Sequence, residues 1–248
     1  MRVRKLKSFA KANLFFRVLY KRRDGFHEIA SLMQRLPLFD EISIELSDRD
    51  AISCSNPSIP TNRDNLAFKA LDLFRKETNY SFCCKIDVQK NIPIQAGLGG
   101  GSSNAATVLF ALNNLHGNPL SKNELSHLGA KIGSDVPFFF TNGLAYATGR
   151  GEILHELSAP FIDLEIITPS FGLSTKEVFS KVEIKGGVDP ETLLNAFLKG
   201  RPIFINDLEE AAFKIAPKLQ LLKQDLKKKN SFVTMTGSGS SFILHQMS

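Results

Sequence analysis

The chain contains 248 residues, of which 43% are hydrophobic and 23% charged, and this composition excludes collagenous, coiled-coil and disordered proteins. No apolar run approaches the roughly 20 residues of a membrane helix, so we expect no membrane association. The net charge is +6, but the first 23 residues carry nine Lys or Arg and no acid, which leaves the remainder slightly acidic. We interpret the basic start as a positive rim for an anionic small molecule, and neither as a nucleic-acid surface nor as a cleaved leader.

The three cysteines are few and irregularly spaced. Cys83 and Cys84 are adjacent and Cys54 stands alone, so the count is odd and no metal-binding spacing is present. We therefore expect buried, inert thiols, a reducing cytoplasm and no metal site formed by the side chains of the chain itself.

The first part of the chain is dominated by β-type patterns, which predict an antiparallel opening. Apolar residues then recur at helical spacing, and after them apolar and polar residues alternate again as in a strand. The predicted strands cover residues 5–20, 29–38, 41–46, 51–55 and 82–88, and the predicted helix covers residues 65–78.

Two capping boxes mark helix starts in the middle and later parts of the chain, one at Ser121 and Glu124 and the other at Ser174 and Glu177. We place a domain boundary near Pro160, which gives domains of residues 1–159 and 160–248. The remaining predicted elements are helices over residues 102–116, 122–132, 190–199 and 207–229, a hairpin over 143–157, and strands over 161–167, 232–235 and 242–245.

The first glycine-rich loop is the strongest chemical signal. Its glycines let successive backbone N–H groups converge on an anion, and the helix that follows adds the positive end of its dipole. The spacing matches neither the Walker loop nor the dinucleotide fingerprint, and a flexible linker would not need the proline before the glycines or the alanine-rich helix after them. We predict a phosphate-binding loop formed by Pro93, Ile94, Gln95, Ala96, Gly97, Leu98, Gly99, Gly100, Gly101, Ser102 and Ser103.

A second glycine-rich loop, residues 236–241, lies between two predicted strands and contains Gly237, Ser238 and Gly239. By itself this pattern is more typical of a hairpin turn than of a binding loop. Its interest comes from being the second such loop in the chain.

Two isolated charges stand in apolar surroundings. Asp135 lies between Gly133 and a run of phenylalanines, where an aspartate is either a helix N-cap or a functional acid. Lys11 is a single charge in a predicted strand, where the ordinary interpretation is an outward-facing side chain. The residues alone leave both alternatives open.

Five motifs together resemble the GHMP superfamily of small-molecule kinases. They are Ala-Lys11-Ala-Asn13-Leu, Asp24-Gly-Phe-His27, residues 93–106, Gly133-Ser-Asp135-Val-Pro137 and residues 236–241, in this order along the chain. The resemblance implies an α+β, two-domain GHMP kinase fold. The amino-terminal domain would be like domain 2 of ribosomal protein S5, and the carboxy-terminal domain would be ferredoxin-like.

The resemblance also implies roles for single residues. ATP would lie on residues 93–103, with Mg²⁺ accompanying it and Ser103 as a ligand by analogy. Lys11 and Asp135 match the catalytic pair of the family. The positions that match substrate contacts are Asn13, Phe26, His27, Thr175, Phe179, Gly237, Ser238 and Gly239, with Phe26 and Phe179 enclosing a cytosine ring.

The resemblance further implies ATP-dependent phosphorylation of the C2 hydroxyl of 4-diphosphocytidyl-2-C-methyl-D-erythritol, a cytidine diphosphate derivative of methylerythritol, in isoprenoid precursor synthesis. We expect a cytoplasmic monomer or weak homodimer that binds no nucleic acid. Two alternatives remain open: a GHMP kinase for mevalonate, homoserine or a sugar, and a non-catalytic, basic RNA-binding module of S5-like fold.

The sequence departs from the family pattern in three places. Phe9 replaces a usual proline, which affects entry into the strand. Gln95 replaces a small residue, so we expect its side chain to point away from the phosphates. The chain ends seven residues after Ser241, where members usually continue, and we expect the second domain to lack an edge.

Overall fold

The computed structural model describes residues 4–245, in which helices and strands succeed one another as in an α+β protein. The strands are β1 (Arg4–Lys21), β2 (His27–Ser47), β3 (Ala51–Cys54), β4 (Cys83–Gln89), β5 (Leu144–Thr148), β6 (Ile153–Glu156), β7 (Glu165–Ile167), β8 (Phe232–Met235) and β9 (Phe242–His245). The helices are α1 (Leu66–Thr78), α2 (Gly100–Leu115), α3 (Lys122–Ile132), α4 (Thr175–Ser180), α5 (Pro190–Leu198), α6 (Glu209–Ile215) and α7 (Pro217–Lys227), with a 3₁₀ helix at Pro137–Phe140.

The chain forms two units, each assembled from separate stretches. The first unit comprises the described residues of Met1–Ala10, Leu36–Ile92 and Gly99–Asn142, and the second unit those of Lys11–Arg35, Pro93–Leu98 and Gly143–Ser248. The chain therefore leaves and re-enters each unit. The sequence-based domain boundary at residue 160 stays a prediction.

The first unit packs helices on one face of a sheet. The second half of β2 pairs antiparallel with β4, from Glu41 opposite Gln89 to Ser47 opposite Cys83. Because neighbouring side chains on a strand alternate, Ile42, Ile44 and Ile86 enter one core with α1 and α2, while the residues between them face outward. The antiparallel prediction is wrong for β3, which pairs parallel with β4 because α1 and its loops separate the two strands in the chain.

Two of the three predicted helix starts in the first unit, those of α1 and α3, are confirmed to within one residue. The side chain of Asn65 accepts a hydrogen bond from the backbone N–H of Ala67 at the start of α1. Ser121 and Glu124 form a complete capping box at the start of α3. These bonds satisfy backbone donors that the first turn of a helix leaves free.

The second unit contains the first half of β2, which pairs antiparallel with β5, and the hairpin of β5 and β6. A further antiparallel sheet has the order β7-β9-β8. Val178 of α4, Leu219 of α7 and Phe242 of β9 belong to the core on this sheet.

Three predicted boundaries are corrected. The helix expected over residues 207–229 is split into α6 and α7, because Pro217 lacks the N–H group that would continue the first helix. The strand expected over residues 161–167 is confined to β7. Helix α2 begins at Gly100, two residues earlier than predicted, so it includes the last glycines of the first glycine-rich loop.

The cysteines are free thiols, as expected, but only Cys84 is buried, whereas Cys54 and Cys83 are half-buried. Burial raises the pKa of the Cys84 thiol to about 12, so it stays protonated at neutral pH. Within residues 4–245, none of the helices has the length and apolar character needed to cross a lipid bilayer.

Candidate active site

The first part of the first glycine-rich loop belongs to the second unit, where backbone hydrogen bonds hold it from three directions. The backbone N–H of Lys11 donates to the carbonyl of Leu98 (3.0 Å), that of Leu173 to Gln95 (3.0 Å), and that of Ser241 to Ala96 (3.1 Å). The loop is thus fixed by a strand, by the residues that precede α4 and by the second glycine-rich loop.

Gly97 has no room for a side chain. Its φ is +76°, and a Cβ atom at this position would lie 2.1 Å from the carbonyl oxygen of Thr236. Glycine is therefore required both by backbone conformation and by the close approach of the second glycine-rich loop.

The remainder of the first glycine-rich loop opens helix α2 in the first unit. Gly99 is the N-cap, with φ 69°, and supplies no side-chain hydrogen bond to the first turn, which also contains no acidic residue. A Cβ atom at Gly100 would lie 3.0 Å from Nζ of Lys90. A helix start without a competing side-chain cap presents backbone N–H groups and a positive dipole end to an anion.

A buried polar network that sequence reasoning missed supports this helix start. Asp40, fully buried, accepts hydrogen bonds from the backbone N–H groups of Asn91 (2.7 Å) and Ile92 (2.8 Å), and it is paired with Lys90. Nδ2 of Asn104 donates to the same carboxylate at 2.9 Å. Asp40 therefore ties the end of the segment before the loop to the first turn of α2.

The same network reaches a predicted site residue, Ser103. Nδ2 of Asn104 donates to Oγ of Ser8 (2.9 Å), and Ser8 in turn donates to Oγ of Ser103 (2.7 Å). The sequence signal for Asp40 was weak, because this residue stands beside Glu41 between two predicted strands. No sequence pattern distinguished Ser8 or Asn104.

Lys11 is buried, with only 3% of its surface exposed, so the outward-facing interpretation is wrong. Its Nζ atom donates to Oδ1 of Asn13 at 2.6 Å. Nδ2 of Asn13 donates to Oγ of Ser31 (2.7 Å), which donates to the carbonyl of Phe15 (2.7 Å). The amide of Asn13 is thereby oriented with its oxygen toward the lysine.

The second glycine-rich loop approaches the same two side chains. Oγ1 of Thr236 accepts a hydrogen bond from the backbone N–H of Asn13 at 2.8 Å. A Cβ atom at Gly237 would lie 3.1 Å from the carbonyl oxygen of Gly97, 3.2 Å from Nζ of Lys11 and 3.3 Å from Oδ1 of Asn13. The loop does connect two antiparallel strands, but it is a buried hairpin whose backbone adjoins a buried cation.

A further residue that the sequence did not reveal shapes this loop. Nδ2 of Asn206 donates to the carbonyl groups of Met235 (2.6 Å) and Gly237 (2.8 Å). The carbonyls that flank Thr236 are therefore satisfied by one amide. No motif surrounds Asn206, so only the folded chain reveals this role.

Other predicted substrate residues of the second unit also meet. Oγ1 of Thr175, the first residue of α4, is 2.9 Å from Oγ of Ser238. The rings of Phe179 and His27 have centroids 5.4 Å apart, and burial with nearby Lys21 lowers the pKa of His27. The imidazole is consequently neutral at pH 7 and offers one donor and one acceptor.

Phe26 is held at the tip of a turn. Oδ1 of Asp24 accepts from the backbone N–H of Phe26 at 3.1 Å, and the backbone N–H of Arg22 donates to its carbonyl at 2.8 Å. The ring is 52% exposed, with the Arg150 guanidinium 4.8 Å from its centroid. This large apolar ring is displayed on the surface and does not belong to a core.

Asp135 lies in the first unit between α3 and the 3₁₀ helix and is half-buried. Val136, and not Asp135, occupies the N-cap position of that helix. A Cβ atom at Gly133 would lie 3.9 Å from Oγ of Ser102. The turn that carries Asp135 therefore lies beside the start of α2.

The chain is similar to several known proteins. The model for the N-terminal domain of GHMP kinases matches residues 65–143. The 4-diphosphocytidyl-2-C-methyl-D-erythritol kinase of Protochlamydia amoebophila (strain UWE25) is 43% identical over 241 residues, which cover 96% of this chain and 83% of that protein. The chloroplastic protein of the same name from Arabidopsis thaliana is 42% identical, with coverage of 96% of this chain and 66% of that protein.

The structure is also similar to a solved structure from the same group of proteins. The crystal structure of a 4-(cytidine 5'-diphospho)-2C-methyl-D-erythritol kinase is similar with a TM-score of 0.82 and 32% sequence identity, and the match covers 98% of this chain and 90% of that chain. The α+β GHMP kinase fold expected from the motifs is thus confirmed. The chain belongs to the 4-diphosphocytidyl-2-C-methyl-D-erythritol kinase family of the GHMP kinases.

Proposed function

We propose that this chain transfers the γ-phosphoryl group of ATP to the C2 hydroxyl of 4-diphosphocytidyl-2-C-methyl-D-erythritol. The observation that carries the proposal is the buried Lys11, whose Nζ atom adjoins the backbone of Gly237 while its own backbone pairs with the first glycine-rich loop. A desolvated cation at glycine-rich backbone is suited to stabilising negative charge on a transferring phosphoryl group. The family relationship supplies the acceptor.

The first glycine-rich loop would bind the phosphates of ATP. Its glycines leave backbone N–H groups accessible, and the start of α2 adds a dipole without an acid that would compete. Lys11 would contact the γ-phosphate or the attacking oxygen. Asn13, which accepts a hydrogen bond from Lys11, would position that amine and the acceptor.

Asp135 would orient the C2 hydroxyl and take its proton late. An alcohol has a pKa near that of water, about 15.7, against about 3.9 for aspartate, so full deprotonation before attack would cost on the order of 16 kcal/mol. In a loose transition state the new bond from oxygen to phosphorus and the breaking bond to the ADP oxygen are both weak, so early deprotonation is not needed. The hydroxyl proton passes to the carboxylate as ADP departs.

Mg²⁺ fits this site as a companion of ATP. Among residues 4–245 no group of three His, Cys, Asp or Glu side chains could hold a metal ion. Mg²⁺ ordinarily keeps several waters and relies on phosphates with few protein ligands. Ser103, whose Oγ accepts a hydrogen bond from Ser8, would supply an oxygen ligand, and Asp135 would be the acid of the site. The ion would neutralise charge on the β- and γ-phosphates.

The cytidyl half of the acceptor would lie against the aromatic residues of the second unit. Phe26 and Phe179 would stack on the cytosine, with Thr175 facing the cytidine and His27 binding its substituents. Gly237, Ser238 and Gly239 would line the acceptor side by backbone.

The free cysteines agree with a cytoplasmic enzyme, and we propose a monomer or weak homodimer.

Product analysis tests the proposed reaction. Purified protein, ATP, Mg²⁺ and the cytidyl substrate should yield ADP and one new phosphate monoester, which ³¹P NMR coupling and mass spectrometry should locate on the C2 oxygen. Asp135→Asn should lower kcat by roughly 10² to 10⁴ while leaving ATP binding nearly intact. A phosphate on another oxygen would overturn the assigned reaction, and an Asp135→Asn variant with more than about half the wild-type kcat would remove Asp135 from its catalytic role.

A further inference from the structure

Gln95 has an unusual backbone conformation for its position in the first glycine-rich loop. Its φ is +52°, in the left-handed region that glycine adopts without penalty and other residues rarely adopt. A side chain persists in this region when neighbouring structure determines it, and such positions concentrate at functional sites. We therefore expect neighbouring residues to hold Gln95 in this conformation.

The contact that holds Gln95 is with Gly172. A Cβ atom at Gly172 would lie 2.4 Å from Cβ of Gln95 and 3.0 Å from both its carbonyl oxygen and its Oε1. The backbone N–H of the next residue, Leu173, donates to that carbonyl oxygen at 3.0 Å. The glutamine side chain thus occupies the space that a side chain at residue 172 would need.

The segment that contains Gly172 is joined to the second glycine-rich loop as well. Oγ of Ser240 donates to the carbonyl of Phe171 at 2.5 Å, and Oγ1 of Thr175 lies 2.9 Å from Oγ of Ser238. Residues 171–175 then continue into α4, which carries Phe179. One short segment of the second unit therefore contacts both glycine-rich loops and begins the helix proposed to bind the acceptor.

We propose that Gln95 is a positioning residue: its contact with Gly172 fixes the first glycine-rich loop against residues 171–175, and so aligns the nucleotide-binding backbone with the start of α4. Gln95 would act by aligning these two segments and not on the reacting atoms. The link to nucleotide and acceptor rests on the proposed function, whereas the contact itself does not.

A double-mutant cycle tests the contact. Gly172→Ala introduces a Cβ atom into the space of Gln95, and Gln95→Gly removes the overlapping atom, so the double variant should recover what the single Gly172→Ala variant loses. Gly186→Ala is the matched control, because a Cβ atom there meets nothing within 4 Å. The first readouts are the Tm without ligands and the Kd of a non-hydrolysable ATP analogue, measured well below the Tm.

We expect Gln95→Gly and Gly172→Ala each to weaken binding of the analogue by about tenfold, because the first removes the contacting side chain and the second overlaps with it. The double variant should return to within about threefold of wild type, because the side chain of Ala introduced at residue 172 fills the space that Gln95 vacates, and Gly186→Ala should bind as wild type does. Unchanged analogue binding in either single variant, or no recovery in the double variant, would overturn the proposal. If Gly172→Ala does not fold, a folded double variant supports the contact and an unfolded one refutes it.

The KM for the acceptor is a second measurement, and a contact that only stabilises the fold would not change it. Gly172→Ala should also raise the KM for the cytidyl substrate by about fivefold, with recovery in the double variant. A rescued effect on the nucleotide with an unchanged acceptor KM would refute the link to α4. If wild-type protein does not phosphorylate the cytidyl substrate, the proposed function fails, and the analogue titrations still decide the role of Gln95.

Discussion

The two glycine-rich loops are similar in composition but differ in what made them recognisable. The first lies between a strand and a helix, and its proline, glycines and following alanines already indicate an anion site. The second lies between β8 and β9 and looks like any hairpin, although Thr236, Ser240 and Ser241 are fully buried. A binding loop that leads into a helix can therefore be recognised from its local sequence. A loop whose role depends on residues distant in sequence can be recognised only from the structure.

The comparison also explains why particular glycines are needed. Gly97 of the first loop is required by the backbone of the second, since its missing Cβ would approach Thr236. Gly237 of the second loop adjoins the side chains of Lys11 and Asn13. The two loops thus contact each other closely. Substitutions at the residues where they meet should distinguish effects on catalysis from effects on stability.

The largest expected effect comes from Lys11, which adjoins the second loop by its side chain and the first by its backbone. Lys11→Ala should lower kcat by roughly 10² to 10⁴, because charge on the transferring phosphoryl group loses its buried cation. Steady-state kinetics measures the loss. Lys85→Ala, on an exposed strand position, is the matched control and should leave kcat unchanged. A Lys11→Ala enzyme with more than half the wild-type kcat would remove the lysine from the mechanism.

The next effect concerns stability at the border between the loops. Gly97→Ala should lower the free energy of unfolding by about 2 to 4 kcal/mol, since it combines a left-handed backbone with overlap against a carbonyl oxygen. The Tm should fall by about 4 to 16 °C in thermal unfolding. Gly101→Ala, whose Cβ would meet only Leu66 Cδ1 at 3.4 Å, should change the Tm little. Equal Tm values for the two variants would contradict the close packing of Gly97 against Thr236.

Sequence reasoning succeeded where the cause is local and failed where it is tertiary. The helix that begins after Asn65, the cap at Ser121 and the alternation of Ile42 and Ile44 were readable, because each depends on residues a few positions apart. Asp40 and Asn206 were missed, because their partners are distant in sequence and belong to no motif. The burial of Lys11 was left open for the same reason.

A moderate effect is expected at the two aromatic residues of the acceptor side. Phe26→Ala and Phe179→Ala should each raise the KM for the cytidyl substrate by about 5- to 100-fold, with little change in the KM for ATP, because stacking on a base contributes roughly 1 to 3 kcal/mol. Kinetics with each substrate varied measures the split. Phe110→Ala, an exposed phenylalanine of α2, is the control.

Thermal unfolding distinguishes the two phenylalanines further. Phe179 also packs against Phe16 and the core of the second unit, so its replacement should lower the Tm, whereas replacement of exposed Phe26 should not. A lowered Tm without a selective rise in the cytidyl KM would assign Phe179 to the core alone.

The smallest effect lies away from both loops, at His116 in the first unit. Burial lowers its pKa, and its ring packs against Phe74, Tyr80 and Phe82. The unfolded chain then binds the proton more readily than the folded one, so stability should fall as the pH drops below about 6.5.

His116→Phe keeps an aromatic ring and removes the titration, so the fall in Tm between pH 7.5 and 5.5 should be shallower. It should not vanish, because the pKa of His27 is lowered in the same direction. His127→Phe is the control, and a Tm profile unchanged by His116→Phe would contradict the assignment.

Acceptor preference tests the central claim most directly. ADP release should be measured with wild-type protein, ATP and Mg²⁺ in the presence of the cytidyl substrate, mevalonate or homoserine at equal concentrations. We expect rapid ADP release with 4-diphosphocytidyl-2-C-methyl-D-erythritol and background release with the other two. Equal rates with mevalonate or homoserine, or ADP release independent of any acceptor, would contradict it.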